Sequence, residues 1–276
     1  MADSAAEEQP SSGSGLTLPQ MEAAALAGRQ VGAALDAETA VRLLREAELT
    51  VVGRMLSASN ATFFAVAGQP GPDGEIGPAV SCVYKPGRGE RPLMDFPDGT
   101  LAAREVAAYE VARASGWEII PPTVLRDGPL GPGMVQLWVE ADDSADPALL
   151  PETDDPALRR IALLDAVLNN ADRKGGHLLR LRDGRVMAID NGLCFAVAPK
   201  LRTILWQWRG LALNDEEVAV LLALREAVAG ALGERLRELL DSTEVEATAR
   251  RLDALLATRR FPMPDPRRPV VPWPPF

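Results

Sequence analysis

Leu163 to Phe195 reads LLDAVLNNADRKGGHLLRLRDGRVMAIDNGLCF. The apolar spacing of LLDAVL continues a helix that starts at Pro156, a residue suited to a first helical turn, and runs to about Asn169. A polar loop with two glycines follows. LLRL and RVMAI then make two short apolar strands around Arg182-Asp183-Gly184, a tight-turn sequence, and a second loop opens with Asp190-Asn191-Gly192. Asp172 and Asp190 stand at the two loop entrances. A hairpin between them folds the two carboxylates back towards each other.

The rest of the chain sets limits on what this pairing serves. Its 276 residues suit one or two domains, and 47% hydrophobic content supplies a sizeable core, built of Leu, Val and Ala because only 5% is aromatic. A formal charge of −10 argues against nucleic-acid binding, which rests on clustered Lys and Arg, and against docking on anionic membranes. Cys82 and Cys194 are the only cysteines and form no CxxC pattern, so a reduced, cytoplasmic protein is expected. Residues 1–16 lack the apolar core of a secretion signal, and no run approaches the roughly 20 apolar residues of a membrane span.

In chain order, residues 1–35 read as a disordered or weakly ordered tail, with a disordered composition through residue 16. An N-terminal lobe spans 36–140. Asp36 caps a helix over AETAVRLLREAE, and strands follow at 49–55, 62–66 and 80–85, with a Gly/Pro loop over 67–78. A helix covers 101–115, then strands 119–125 and 134–139 flank a turn at 126–129. This describes a small antiparallel sheet with one main helix laid across it. EADDSADPALLPETDDP (140–156) links it to a mostly helical lobe over 141–258, with helices at 156–169, 214–229, 233–240 and 243–258. Trp206 and Trp208 are read as core. The tail over 259–276 is Pro-rich; it either wraps its own surface or offers a polyproline ligand to a partner domain. The fold class is α+β.

A β-rich lobe carrying one helix, an acidic hinge, then a helical lobe whose first long helix feeds a polar loop: this order resembles protein-kinase-like two-lobe folds. The resemblance gives each candidate residue a role, and each role has a plainer rival. Asp172 orients the attacking hydroxyl and Lys174, two positions on, neutralises the γ-phosphate; the rival is a helix end frayed into a glycine turn. Asp190 chelates the metal; the rival is an ordinary Asn-Gly turn, although Arg182-Asp183-Gly184 already turns the hairpin. Lys85, closing the third strand, contacts the α/β-phosphates, with Glu105 as its ion-pair partner; the rival is two surface charges. Ser57, Ser59 and Asn60, in a loop of small residues between the first two strands, bring backbone N–H groups to phosphate, or form a plain hairpin loop. Gln136 and Trp138 belong to a strand against which an adenine packs, or simply to the core. His177, the only histidine, takes the second metal position, where imidazole is a poor Mg2+ ligand.

More closely, the chain is similar to an actinobacterial family of phosphatidylinositol 3-/4-kinase-like proteins, related to type II phosphatidylinositol 4-kinases and HipA-type kinases. REVAAYEVARASGWEIIPPTVL resembles the Glu-bearing helix and Pro-Pro strand of the type II enzymes, and NNADRKGGHLL their Asp-Arg-His-x-x-Asn loop, with Lys174 for its His and His177 for its Asn. IDNG resembles the Asp-Asn-Gly of secretory-pathway casein kinases. The resemblance implies ATP, Mg2+ or Mn2+, and a hydroxyl acceptor on a protein, small molecule or lipid headgroup. It leaves open a nucleotide-binding pseudokinase acting as scaffold or sensor, favoured by His177 and the missing glycine-rich loop, and a transferase of AMP.

Overall fold

The structure, a computed structural model, describes residues 36–55, 60–70, 76–142, 144, 146 and 148–276. Ser57 and Ser59 and the tail over 1–35 lie outside the described residues. The first helix, α1 (Ala37–Glu46), starts where sequence expects, with the Asp36 carboxylate accepting from Thr39 N at 2.7 Å. Five strands follow, β1 (Glu48–Arg54), β2 (Phe63–Pro70), β3 (Ile76–Pro86), β4 (Thr123–Gly128) and β5 (Gly131–Leu137). They form one antiparallel sheet in the order β1-β2-β3-β5-β4.

Alternation along β5 divides the sheet's two faces. Val135 joins Leu43 and Leu44 of α1 in one apolar cluster, whereas Met134 joins Val106 and Ala107 of a second helix, α2 (Leu101–Ala114). The helix foreseen over 37–48 thus covers the face that α2 leaves bare. Lys85 is the cross-strand partner of Met134 and therefore stands on the α2 face.

The second lobe is helical: α3 (Pro156–Leu168), α4 (Asp215–Ala229), α5 (Ala231–Arg237) and α6 (Ser242–Thr258), with a small hairpin, β6 (Leu178–Arg180) and β7 (Val186–Ala188), after α3. Asp155 caps α3 and Pro156 is its first residue. Leu163 and Leu164 of α3, Leu252 of α6 and Val111 of α2 belong to one cluster, so the main core is continuous across both lobes. Among the described residues no helix is long and apolar enough to cross a membrane.

Three segments depart from the sequence reading. The strand expected at 119–125 begins only at Thr123, because Pro121 and Pro122 have no N–H for a ladder. The carbonyls of Ile119 and Pro122 instead accept from Ala188 N and Leu137 N, at 2.7 and 2.8 Å. The turn expected at 126–129 moves to Pro129-Leu130, since Arg126, Asp127 and Gly128 remain in register with Gly133, Pro132 and Gly131. The Gly/Pro loop over 67–78 is shorter than expected, as β2 continues to Pro70 and β3 starts at Ile76.

Arg104 of α2 is a buried polar tie between the lobes. Its side chain is 1% exposed and meets Glu244 of α6 at 2.7 Å, the Cys194 carbonyl at 2.8 Å and Thr100 Oγ1 at 3.0 Å. Arg104→Met strands a buried carboxylate and a carbonyl together, and is expected to cost about 3 kcal/mol, lowering the thermal midpoint by roughly 6–12 °C in a calorimetric scan.

Candidate functional site

Lys85 is placed by backbone contact. Pro86 and Lys85 run so close to Gly133 of β5 that a Cβ there would lie 2.4 Å from the Lys85 carbonyl oxygen, which only glycine allows. From the α2 face the Lys85 ammonium reaches Glu105 Oε1 at 2.6 Å and Asp190 Oδ1 at 2.8 Å. Burial alone would push its pKa down. The Asp190 and Glu105 carboxylates outweigh that and hold it above the ordinary lysine value. Asp190, with Lys85 against it, is depressed well below the carboxylate range although partial desolvation opposes this. Its backbone is left-handed, φ 58°, a conformation Asp tolerates better than most residues. That turn also sets Asn191, whose N–H faces Glu105 Oε2 at 3.4 Å.

The loop after α3 is held from below. Asn169 closes the helix in the left-handed region, and its amide donates to the Ala196 and Ala198 carbonyls, both at 2.8 Å. Arg173 turns inward, fully buried, to meet fully buried Asp165 of α3 through Nε at 3.0 Å and Nη2 at 2.9 Å. The same guanidinium donates to the Ile189 carbonyl and to Asn191 Oδ1. Asn170 bridges as well, donating to Asp165 Oδ1 and accepting from Asp172 N, each at 2.9 Å. Asp172 therefore points away from this anchor. Burial raises its pKa, and Lys174, 3.3 Å away, opposes the rise.

His177 sits behind Asp190, its Nε2 3.4 Å from Asp190 Oδ2 and its Nδ1 accepting from Lys174 N at 3.4 Å. Because Nδ1 accepts from Lys174, the proton of the neutral ring lies on Nε2. Burial pushes the imidazole pKa down to about 4, so the ring is neutral at pH 7, with Nε2 turned towards Asp190.

Between the lobes lies a cavity of about 310 Å³ whose lining includes Asn60, Lys85, Glu105, Asp172 and Asp190. Five residues singled out from sequence thus share one space. Lys174 and His177 stand beside it through their contacts with Asp172 and Asp190. Gln136 and Trp138 do not line it: the Gln136 amide is buried against Thr123 Oγ1 at 2.8 Å, and Trp138 packs edge-on to Phe64. Sequence reasoning passed over Asp165, Arg173 and Asn191; the signal was an acid inside an otherwise apolar helix, since such a charge needs a buried partner. It also missed Glu90 and Arg91, in the segment read as irregular. Glu90 receives the first N–H groups of α2, and Arg91 N donates to Asn60 Oδ1 at 3.0 Å.

The donor set fits a hard divalent cation arriving largely on phosphate oxygens. Asp190 and Asp172 offer carboxylate oxygens to one cavity, and among the described residues no group of three His, Cys, Asp or Glu forms a ready cage. The His177 Nε2–H offers no lone pair in this state.

Comparison with known proteins bears on the fold. No protein-family model matches the chain. Over 277 aligned residues it is 41% identical to Protein Rv2133c of Mycobacterium tuberculosis, a match covering 87% of this chain and 96% of that protein. The chain belongs to that protein's family. A shorter match, 30% identical over 132 residues, joins 40% of the chain to Phosphatidylinositol 4-kinase gamma 4 of Oryza sativa subsp. japonica, of which it spans 22%. Among solved structures, the Golgi casein kinase with Mn/ADP bound superposes with a TM-score of 0.54 at 15% identity, over 80% of this chain and 74% of that one. At that identity the likeness is one of fold, and the fold is the two-lobed, protein-kinase-like one.

Two measurements check the site. His177 is the only histidine, so its imidazole resonance is read directly by NMR and is expected to titrate near pH 4. Because that value lies below the ordinary 6.5, the unfolded chain takes up the proton first. The stability involved is complete above pH 6.5 and is lost as pH falls to about 4; a His177→Asn variant loses this part of the pH dependence. Arg173→Met leaves Asp165 charged and buried without a partner, and is expected to cost about 3–5 kcal/mol in denaturant titrations.

Proposed function

We propose that the protein is an ATP-dependent phosphotransferase that moves a γ-phosphate to a hydroxyl acceptor. The observation that carries this is Lys85 bridging Glu105 and Asp190 on one wall of a cavity whose lining also includes Asp172. The kinase-like fold and the stretch matched to a phosphatidylinositol 4-kinase support the reading, and the latter favours the phosphatidylinositol-kinase-like branch.

Lys85 meets the α/β-phosphates, fixed by Glu105. Asp190, ionised under the influence of Lys85, faces the polyphosphate; Mg2+ or Mn2+, when bound there, screens its charge. Asp172 accepts a hydrogen bond from the acceptor hydroxyl. As the oxygen bonds to the γ-phosphorus and the bond to the ADP oxygen breaks, the hydroxyl proton passes to Asp172. The raised pKa of Asp172 suits it to that proton. Lys174, 3.3 Å from Asp172, neutralises charge on the transferring group.

Radiolabelled ATP with Mg2+ or Mn2+ tests the reading. Release or self-transfer of the γ-label is expected. Asp172→Ala should lower turnover at least about a hundredfold with nucleotide binding kept, whereas Asp190→Ala also weakens binding of the metal–ATP complex. Full activity in Asp172→Ala would remove the assignment. His177, a neutral donor where the resembled loop has Asn, favours the rival reading of a nucleotide-binding scaffold, whose signature is tight binding without turnover.

A further inference from the structure

A second cavity, about 790 Å³, lies in the helical lobe and shares no lining residue with the first. Its floor is α6, one wall is the stretch from Ala198 to Trp206, and the other is the returning tail from Phe261 to Val270. The tail is strapped down: the Val270 carbonyl accepts from Thr203 N at 3.0 Å and Trp206 Nε1 at 2.9 Å, and Arg268 donates to the Pro199 carbonyl.

Charge is distributed unusually around this recess. Five cations line it, Lys200, Arg202, Arg251, Arg260 and Arg268, against one carboxylate, Asp265, in a chain of net charge −10. Lys200 is paired with Asp95 and Arg268 with Asp265. Among the described residues Arg202, Arg251 and Arg260 form no close ion pair with a carboxylate, although Arg202 lies near enough to Asp95 and Asp172 to lower their pKa values. Arg251 is partly buried on α6 and donates to the Val167 and Ala196 carbonyls and to Thr248 Oγ1, which uses three of its five N–H groups. Burial lowers its pKa to about 10, so it is charged at neutral pH; Glu244 acts on it from beyond ion-pair distance, and among the described residues it forms no ion pair. Arg202 is free of side-chain hydrogen bonds among the described residues. Between these charges the surface is apolar, with Leu201, Leu255, Phe261 and Pro262. A small inorganic anion would leave that surface wet, and a neutral lipid would leave the arginines uncompensated.

We infer that this cavity binds a single-chain anionic amphiphile of the fatty-acid type, its carboxylate met by the unpaired arginines and its hydrocarbon chain laid along the apolar walls. A guanidinium fork matches a carboxylate, and each methylene withdrawn from water adds to affinity. The site is independent of phosphotransfer, so either reading can fail without the other. Through the backbone of Arg202, hydrogen-bonded to Asn170 O at 2.9 Å and Arg173 N at 3.0 Å, it is nonetheless joined to the loop that carries Asp172.

Calorimetric titration of the full chain with dodecanoate below its micelle concentration tests this, with dodecyltrimethylammonium as the control of equal tail length. Dodecanoate is expected to bind saturably, one per chain, and to change the fluorescence of Trp206, whereas the cationic amphiphile does not bind. Arg202→Met should weaken binding about tenfold. Ala254→Trp, at an exposed position on the cavity floor, should abolish it with the thermal midpoint unchanged. Equal binding of both amphiphiles, undiminished binding in both variants, or attachment only to phosphatidylglycerol vesicles would each overturn the inference.

Discussion

The candidate site depends on one buried ion pair, Asp165 with Arg173. Neither side chain is exposed at all, so both charges have lost their water. A pair of this kind contributes little net stability over an apolar replacement of the same shape. Its effect is geometric. One planar guanidinium ties α3, the Ile189 carbonyl and Asn191 into a single arrangement, and the residues either side of Arg173 are thereby aimed outward. Asp172 and Asp190 belong to loops with no regular ladder of their own. What brings them to one cavity is this anchor beneath them.

Above the anchor, the two ammonium groups and the carboxylates are paired with one another. Lys85 is shared between two carboxylates, and Asp172 is paired with Lys174. Under the proposed function, an entering triphosphate would compete for both ammonium groups, and a divalent cation would relieve the carboxylates they leave. The Lys85–Glu105 contact is the deeper of the two that Lys85 makes, since the Glu105 side chain is 4% exposed and that of Asp190 49%. On the proposed reading, phosphates would therefore displace Asp190 more readily than Glu105.

Much of this was legible in the sequence because it was carried by local patterns. Asp36 and Pro156 mark helix starts by capping chemistry, Arg182-Asp183-Gly184 fixes the hairpin, and the order of strand, helix and hinge gave the two lobes. Strand ends were less legible wherever proline intervened, as at Pro121-Pro122, since a run of apolar residues does not reveal which N–H groups are missing. The anchor was hidden for a different reason. Asp165 and Arg173 are eight residues apart across a helix end, and no short-range rule pairs them; only burial does. Gln136 sat in the expected strand, yet its side-chain direction follows the pleat, which a motif does not encode.

The contact between the tail and the loop that carries Asp172 bears on when the candidate site is completed. Gly175 donates its N–H to the Pro275 carbonyl at 2.8 Å, and the Phe276 ring lies where any side chain at 175 would have to go. The loop is made about 100 residues before its covering, an interval of roughly 5–20 s on the ribosome. During synthesis a nascent chain therefore carries Asp172 and Asp190 with one flank still open to other proteins and to premature ligands.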